Sequence, residues 1–489
     1  MLTRYNHFVL AAFFASISAA PTPSAKQACE AIKKAVPSKL FYPSDKSYTT
    51  ENTNYYNIGL AELMPACIFQ PTTAQEVSTA VKILNSTPDV KFAVKSGGHD
   101  PNAGHSSVKD GVLIALSQMQ FTRLSSDKKT AEFGPGGHWN DIQRKLDPLG
   151  AAVVGGRLGF VGVGGYMMQG GFSFLSGQYG MAADQVQEWE MVLPNATIAN
   201  IKASDHKLLT EALRGSGDQF GITTKFTTQA YPMGKVWGGI RIFLGSQKDA
   251  LYEALQDFTA NPPNNGKSAV IFTHTQPLGL LNVYALFFFH DGPTPAKGAF
   301  GKFDDIKPTI DLCQVRTYLE MSLTLPLVDT KFFMDIQELW TNVTSEFSAK
   351  HGSVTATIAF QPFPRTIGKL SVARGGNAMG LTANDEPRFI IEMAYLWGDK
   401  SFDADVLKES KTFADRLLSH ANELKKKVPK VEKYTPYFMN DAAEDQDVTS
   451  SYRNAAQFAK LQQEIDPKGL FRRTGSFQYD MAKIKAVQG

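Results

Sequence analysis

The chain has 489 residues, enough for two or three domains with full cores. It is 43% hydrophobic and 20% charged, with a formal net charge of +3. That near-neutral balance gives no basis for binding nucleic acid or an anionic membrane surface.

Residues 1–20 read as a secretory signal: Arg4 supplies the positive end, 8–17 the apolar run, and Ser18-Ala19-Ala20 a small-residue cleavage site. That run is too short to span a bilayer, and no later segment is long and apolar enough. Sequons at Asn85, Asn195 and Asn342 fit a secreted glycoprotein, although Pro88 sits just beyond the first. In an oxidising compartment Cys29 and Cys67 are the candidate disulfide, leaving Cys313 as a buried thiol.

After a Pro/Ser/Thr linker, 27–36 reads as a helix and 66–70 as a strand. A helix follows from Thr73 to Asn85 with a capping-box spacing at Thr73 and Glu76. Strand 91–95 runs into Ser96-Gly97-Gly98-His99-Asp100 and a polar loop, 102–107. Strands are expected at 111–116 and 130–133, then a helix over 139–149 closed by Gly150. Segments 186–193 and 198–201 form a hairpin around Asn195, 206–213 a helix, and 222–229 a strand. From about Trp237 glycine becomes sparse. Strands at 239–243, 269–274, 281–289, 354–361 and 388–397 alternate with helices at 249–259 and 330–346, and 402–424 is a further helix. This is an α+β pattern.

The chain is organised around 151–184, where glycine recurs at 155, 156, 159, 162, 164, 165, 170, 171, 177 and 180. In a regular element each would cost roughly 0.5–1 kcal/mol relative to alanine. Such a cluster implies positive φ or close backbone approach, and oriented N–H groups without an intervening Cβ cradle phosphate well. Val161, Val163, Met167, Met168 and Phe172 are too apolar for a solvated linker. The run is not the nicotinamide fingerprint, because Met167 stands where its third glycine would be. No phosphate-binding G-x-x-x-x-G-K-[ST] occurs in it either.

Six motifs in order carry a resemblance: VKSGGH (94–99), GVGGYMMQGGFSFLSGQYGMAAD (162–184), ALRGSGDQFGI (212–222), RGGNAMGL (374–381), YFMNDA (437–442) and DPKGLF (466–471). Together they resemble the flavin-dependent oxidases related to vanillyl-alcohol oxidase, in the berberine-bridge-enzyme-like branch, over nearly the whole mature chain. The resemblance implies a two-part PCMH-type FAD-binding domain with an inserted antiparallel-sheet-plus-helices substrate domain. The expected boundaries are 21–235 (core about 62–234) and 431–489 for FAD, with 236–430 for substrate.

The resemblance further implies that the loop from Ser96 to Ser107 takes the pyrophosphate and that His99 bonds covalently to the flavin ring methyl. Expected cofactor residues are Ser96, Gly97, Gly98, His99, Asp100, Gly104, His105, Ser106, Gly162, Val163, Gly164, Gly165, Gly170, Gly171, Gly180, Asp184, Ile222 and Asn440. No Cys/His/carboxylate set suggests a metal. Two departures matter. Leu158 stands where many relatives carry a second flavin-linking cysteine, so a single link is expected. Phe438 replaces the tyrosine that acts as base in sugar-oxidising relatives. Candidates for that role are Tyr166, Tyr437, Asp441, Tyr318 and Glu320, although alternation would send Tyr437 to the other face if its segment is a strand.

The leading expectation is a secreted, monomeric oxidase of a small secondary metabolite, with O2 as acceptor and H2O2 as product. Two alternatives stand beside it: an oxidase of mono- or oligosaccharides, and a flavin-carrying cyclase or binding protein without net redox turnover.

Overall fold

The structure is a computed structural model that describes residues 23–276, 281–312, 322–326, 335–342, 344–345, 355–396, 400–427 and 434–488. The expected signal segment, Cys313, Tyr318 and Glu320 lie outside the described residues.

The N-terminal part is a four-stranded sheet in the order Leu40–Phe41, Cys67–Phe69, Val112–Ala115, Phe92–Lys95. Its last three strands pair in parallel, which explains their unbroken apolar runs: both faces are covered. Helices Pro23–Ala35 and Ala74–Ser86 provide cover, joining the same core through Ala28, Ile32, Val77, Val81 and Leu84. The second helix presents Val77, Ala80, Val81 and Leu84 at three- and four-residue spacing, all buried. The Thr73 hydroxyl caps it by accepting from Glu76 N at 3.2 Å. The reciprocal half of the expected capping box is displaced by one residue, since Glu76 takes the N–H of Thr72 at 2.6 Å. A Cys29–Cys67 disulfide ties the first helix to the sheet.

A five-stranded sheet follows, ordered Thr122–Leu124, Thr130–Phe133, Ile222–Gln229, Val186–Val192, Ile198–Lys202, with the expected hairpin at its edge. The helix beginning at Trp139 stops at Leu146, short of the expected 149. Pro148 has no N–H to continue the ladder, so the chain tightens into a 3-10 turn, Asp147–Leu149, closed by Gly150 at φ 67°.

The third sheet has seven antiparallel strands among the described residues: Ile310–Leu312, Trp237–Leu244, Val283–His290, Ser268–Gln276, Thr355–Phe363, Arg388–Leu396 and Ser322–Pro326. Val283–His290 alternates, with Tyr284, Leu286, Phe288 and His290 buried. These side chains pack under helices Lys248–Ala260 and Asp403–Lys427 through Leu251, Leu255, Phe413 and Leu417. On the opposite side, Phe289 stacks on Phe174 (5.1 Å between centroids), and Phe172 meets Phe363 at 5.4 Å. The glycine-rich run is therefore roofed by this sheet. The C-terminal segment returns to the middle core, where Phe438, Met439, Phe458 and Tyr479 join Phe133, Trp189 and Phe226.

Candidate active site

The loop Ser96–Asp100 leaves strand Phe92–Lys95 from a fixed base. The Lys95 ammonium is wholly buried, 2.8 Å from the Glu51 carboxylate, and also donates to the Glu51 carbonyl. Ser96 Oγ donates to the Pro135 carbonyl and accepts from Gly164 N at 3.0 Å. This locks the loop to the glycine-rich run, and the lock needs glycine on both sides. A Cβ on Gly97 would lie 2.5 Å from Gly162 Cα, and one on Gly162 would lie 2.4 Å from Gly97 N. Gly98 holds φ 68°, and its carbonyl accepts from Tyr56 N.

The His99 ring stacks on Tyr56 at 4.2 Å between centroids and lies 5.4 Å from Phe160, which is itself 6.4 Å from Tyr56, so the three rings form one cluster. The His99 Nε2 is buried without a hydrogen-bond partner. Burial drives its pKa down to about 4, so the imidazole is neutral with a lone pair free. Asp100 accepts from Asn102 N and meets His105 Nδ1 at 2.9 Å. Burial opposes charge on His105, but Asp100, with Asp218 and Glu444 beyond it, outweighs burial and raises the pKa. Asp218, joined to Ser476, is pushed up by burial and keeps one carboxylate oxygen unpartnered.

His99, Asp100, His105, Asp218 and Ser476 line one cleft of about 1360 Å³ including its mouth, together with Gly162, Gly164, Gly165, Tyr166, Ile222, Asn440 and Asp441. Asn440 ties the C-terminal segment to the glycine run: its Oδ1 accepts from Gly171 N at 2.9 Å and its Nδ2 donates to the Tyr166 carbonyl. The Tyr166 hydroxyl is buried without a partner, and burial raises its pKa, Arg157 pulling down and Asp441 pushing up. Asp441 is 7% exposed and receives the Gln361 amide at 3.4 Å. The same amide donates to Glu392 at 3.1 Å.

Other expected residues stand off the cleft wall. Gly104 lies against Gly475, whose Cβ would come 2.4 Å from the Gly104 carbonyl oxygen. Val163 is core. Gly170, Gly171 and Gly180, at φ 114°, 73° and 92°, shape turns, with the Gly170 and Gly171 carbonyls accepting from Ala183 and Ala182. Asp184 is buried and accepts from Met181 N, Ser371 and Asn377, which ties the run to the 365–381 segment. Burial raises its pKa to about 6. Tyr437 also lies off the cleft, for a reason other than alternation: 434–438 is not a strand, and a 3-10 turn, Met439–Asp441, follows it. Cleft residues absent from the sequence expectations include Arg157, Gln169, Asp218, Met439, Ser476 and Phe477. Arg157 and Gln169 lie within the glycine-rich stretch and could have been suspected from it.

The cleft fits FAD on its own features. A neutral, unpartnered imidazole nitrogen faces it. At Gly165 a Cβ would meet nothing within 4 Å, so backbone there is open to a ligand.

Comparison with known proteins agrees. The model of the FAD binding domain family matches residues 65–202. An uncharacterized FAD-linked oxidoreductase of Arthroderma benhamiae is 31% identical over 471 residues, covering 89% of this chain and 91% of its own. The bifunctional solanapyrone synthase of Alternaria solani is 29% identical over 475 residues, covering 91% and 87%. Among solved structures, a carbohydrate oxidase from Microdochium nivale superposes with a TM-score of 0.72 at 21% identity, over 93% of this chain and all of that one. The chain belongs to the FAD-linked oxidoreductases and shares the fold of the Microdochium nivale oxidase.

Proposed function

We propose that the protein is a secreted oxidase of a small secondary metabolite, its FAD held by one bond to His99. When bound, FAD takes a hydride from a C–H beside an alcohol or amine and passes the electrons to O2, giving H2O2. Residues 21–235 and 431–489 form the cofactor-binding part, and 236–430 the part that covers the substrate. The observation that carries this reading is the neutral His99, stacked on Tyr56 with its Nε2 unpartnered in the cleft. Leu158 lines the same cleft and has no sulfur for a second bond.

Asp441 is the group that accepts the substrate's hydroxyl or ammonium proton, because among the described candidates for the base it is the carboxylate, and it lines the cleft. Gln361 holds it in place. Tyr166 keeps its own proton, since burial raises its pKa, so it serves as a donor to the substrate's oxygen or nitrogen. A second reading, oxidation of a sugar, is favoured by the fold shared with the Microdochium nivale carbohydrate oxidase. Phe438 weighs against it, since its ring lines the cleft and can take no proton.

Denaturing electrophoresis of the wild type and a His99→Ala variant tests the link. Flavin fluorescence on the wild-type band, lost in the variant, is expected. A dark wild-type band from a yellow native protein would mean FAD is held without a bond. Peroxide release on a sugar panel would move the substrate assignment to the second reading.

A further inference from the structure

The cleft carries two polar groupings of opposite character. Asp100, His105, Asp218 and Ser476 act on one another, as the mutual electrostatic effects on His105 and Asp218 show. Tyr166 instead feels Arg157 and Asp441. Arg157 is the unexplained member of the second grouping. Its side chain is half-buried and makes no hydrogen bond or ion pair with any described residue. It lies over the Phe172 ring, 5.0 Å from the centroid. A guanidinium held over a ring with its N–H groups unbonded can still form two parallel bonds to a planar oxyanion. The Tyr166 hydroxyl, buried and unpartnered, is a further donor in the same cleft.

A second, smaller hollow, about 450 Å³ including its opening to solvent, shares Arg157 and Phe172 as lining residues. Its other sides are mainly apolar, formed by Phe174, Phe258, Val270, Ile271 and Ile367. An apolar chamber next to an unpaired cation describes a ligand with a hydrocarbon body and an acidic head.

We propose that Arg157 binds the carboxylate of an amphipathic organic-acid substrate, whose apolar body lies against Phe172 and extends into the second cavity. This rests on the oxidase reading and narrows its substrate class. Arg157 is a binding residue here, and the proton transfer stays with Asp441.

Isothermal calorimetry on the flavin-loaded protein, with straight-chain carboxylates from butanoate to decanoate and the matching primary amides, tests it. The acids should bind at least about tenfold tighter than the amides, since a charge-assisted pair replaces a neutral one. Affinity should rise with chain length as the chamber fills. Arg157→Gln should erase the acid preference, and Arg157→Lys should keep part of it by charge without the fork. Ile271→Trp should remove the gain with chain length while keeping the preference for acids. Equal binding of acids and amides, no binding of any acid, or an unchanged preference in Arg157→Gln overturns the inference. A variant that loses flavin while keeping the acid preference would assign Arg157 to the cofactor and also overturn it. Flavin is quantified on the same samples: a yellow protein without the preference refutes this inference alone, whereas a flavin-free wild type refutes the oxidase reading beneath it.

Discussion

The contact between Gly97 and Gly162 is the joint on which the cofactor loop and the glycine-rich run meet, and a single methyl group tests it. Gly162 has φ −69° and ψ 144°, which alanine adopts without strain, so any cost of Gly162→Ala is steric. The new Cβ would lie 2.4 Å from Gly97 N, 2.6 Å from Gly97 Cα and 3.1 Å from Ser96 Oγ. Ordinary contact begins near 3.4 Å, so two backbones must part by about 1 Å. Neither can yield cheaply, because Ser96 Oγ is bound to both Pro135 and Gly164. Overpacking of this kind costs roughly 1–3 kcal/mol. That lowers the melting temperature by about 1–3 °C for a cooperative unit of this length. The same shift moves His99 and the 96–100 backbone, so flavin content should fall by at least about half. Gly165→Ala is the paired control. It sits inside helix Val163–Met168, where alanine is the better helix former by up to about 1 kcal/mol, and its methyl meets only open cleft. Thermal stability without cofactor should hold or rise in that variant, while flavin content falls because the methyl occupies ligand space. Melting curves and flavin absorbance per polypeptide read both effects. If Gly162→Ala keeps wild-type stability and full flavin, the joint does not position the loop and the reasoning is wrong.

Three further outcomes are expected. Lys95→Met strands the Glu51 carboxylate, 6% exposed, beside an apolar side chain, and should cost about 3–5 kcal/mol in urea unfolding. Removing both partners in Lys95→Met with Glu51→Gln should recover much of that loss, and equal losses in the single and double variants would show that the pair is not what matters. His105 has a folded pKa above the ordinary histidine value of 6.5, so its stabilisation is complete below pH 6.5 and disappears as pH rises through the raised value. Stability measured from pH 6 to 9 should fall more steeply in the wild type than in His105→Gln, and parallel curves would contradict the Asp100–His105 assignment. Peptide mapping of protein made in a glycosylating host should find glycan at Asn195, exposed in its hairpin turn, and at Asn342, exposed on its helix. Asn85 should be bare, because its Nδ2 already donates to the Pro194 carbonyl.

Much of the fold is legible in the linear sequence because it is written in local terms. The parallel strands are short apolar runs, the helix after Thr73 has its cap and its buried stripe, and the hairpin around Asn195 has its turn residues. The density of glycine between 151 and 184 announces a close backbone approach, and the family resemblance assigns the SGGH turn to the cofactor. Those features depend on neighbouring residues and on backbone freedom, which sequence displays directly.

What the sequence could not display is which glycine does which task. Gly97 and Gly162 touch across 65 positions of chain, Gly165 faces open cleft, Gly170 and Gly180 turn the backbone, and Gly171 turns it while lying against the Tyr166 ring, yet all are the same letter. Asp184 and Asp441 likewise look alike in sequence. One is enclosed by Met181, Ser371 and Asn377, and the other reaches the cleft on a turn contributed from the far end of the chain. Asp218, Ser476 and Arg157 enter the site for the same reason, since only the packing of three sheets and the returning C-terminal segment brings them to one surface. By itself the sequence determined the elements, the cofactor family and the loop that carries His99. The tertiary structure alone decided which polar groups share a cavity, because that depends on contacts between segments hundreds of residues apart, and such contacts leave no local pattern in the chain.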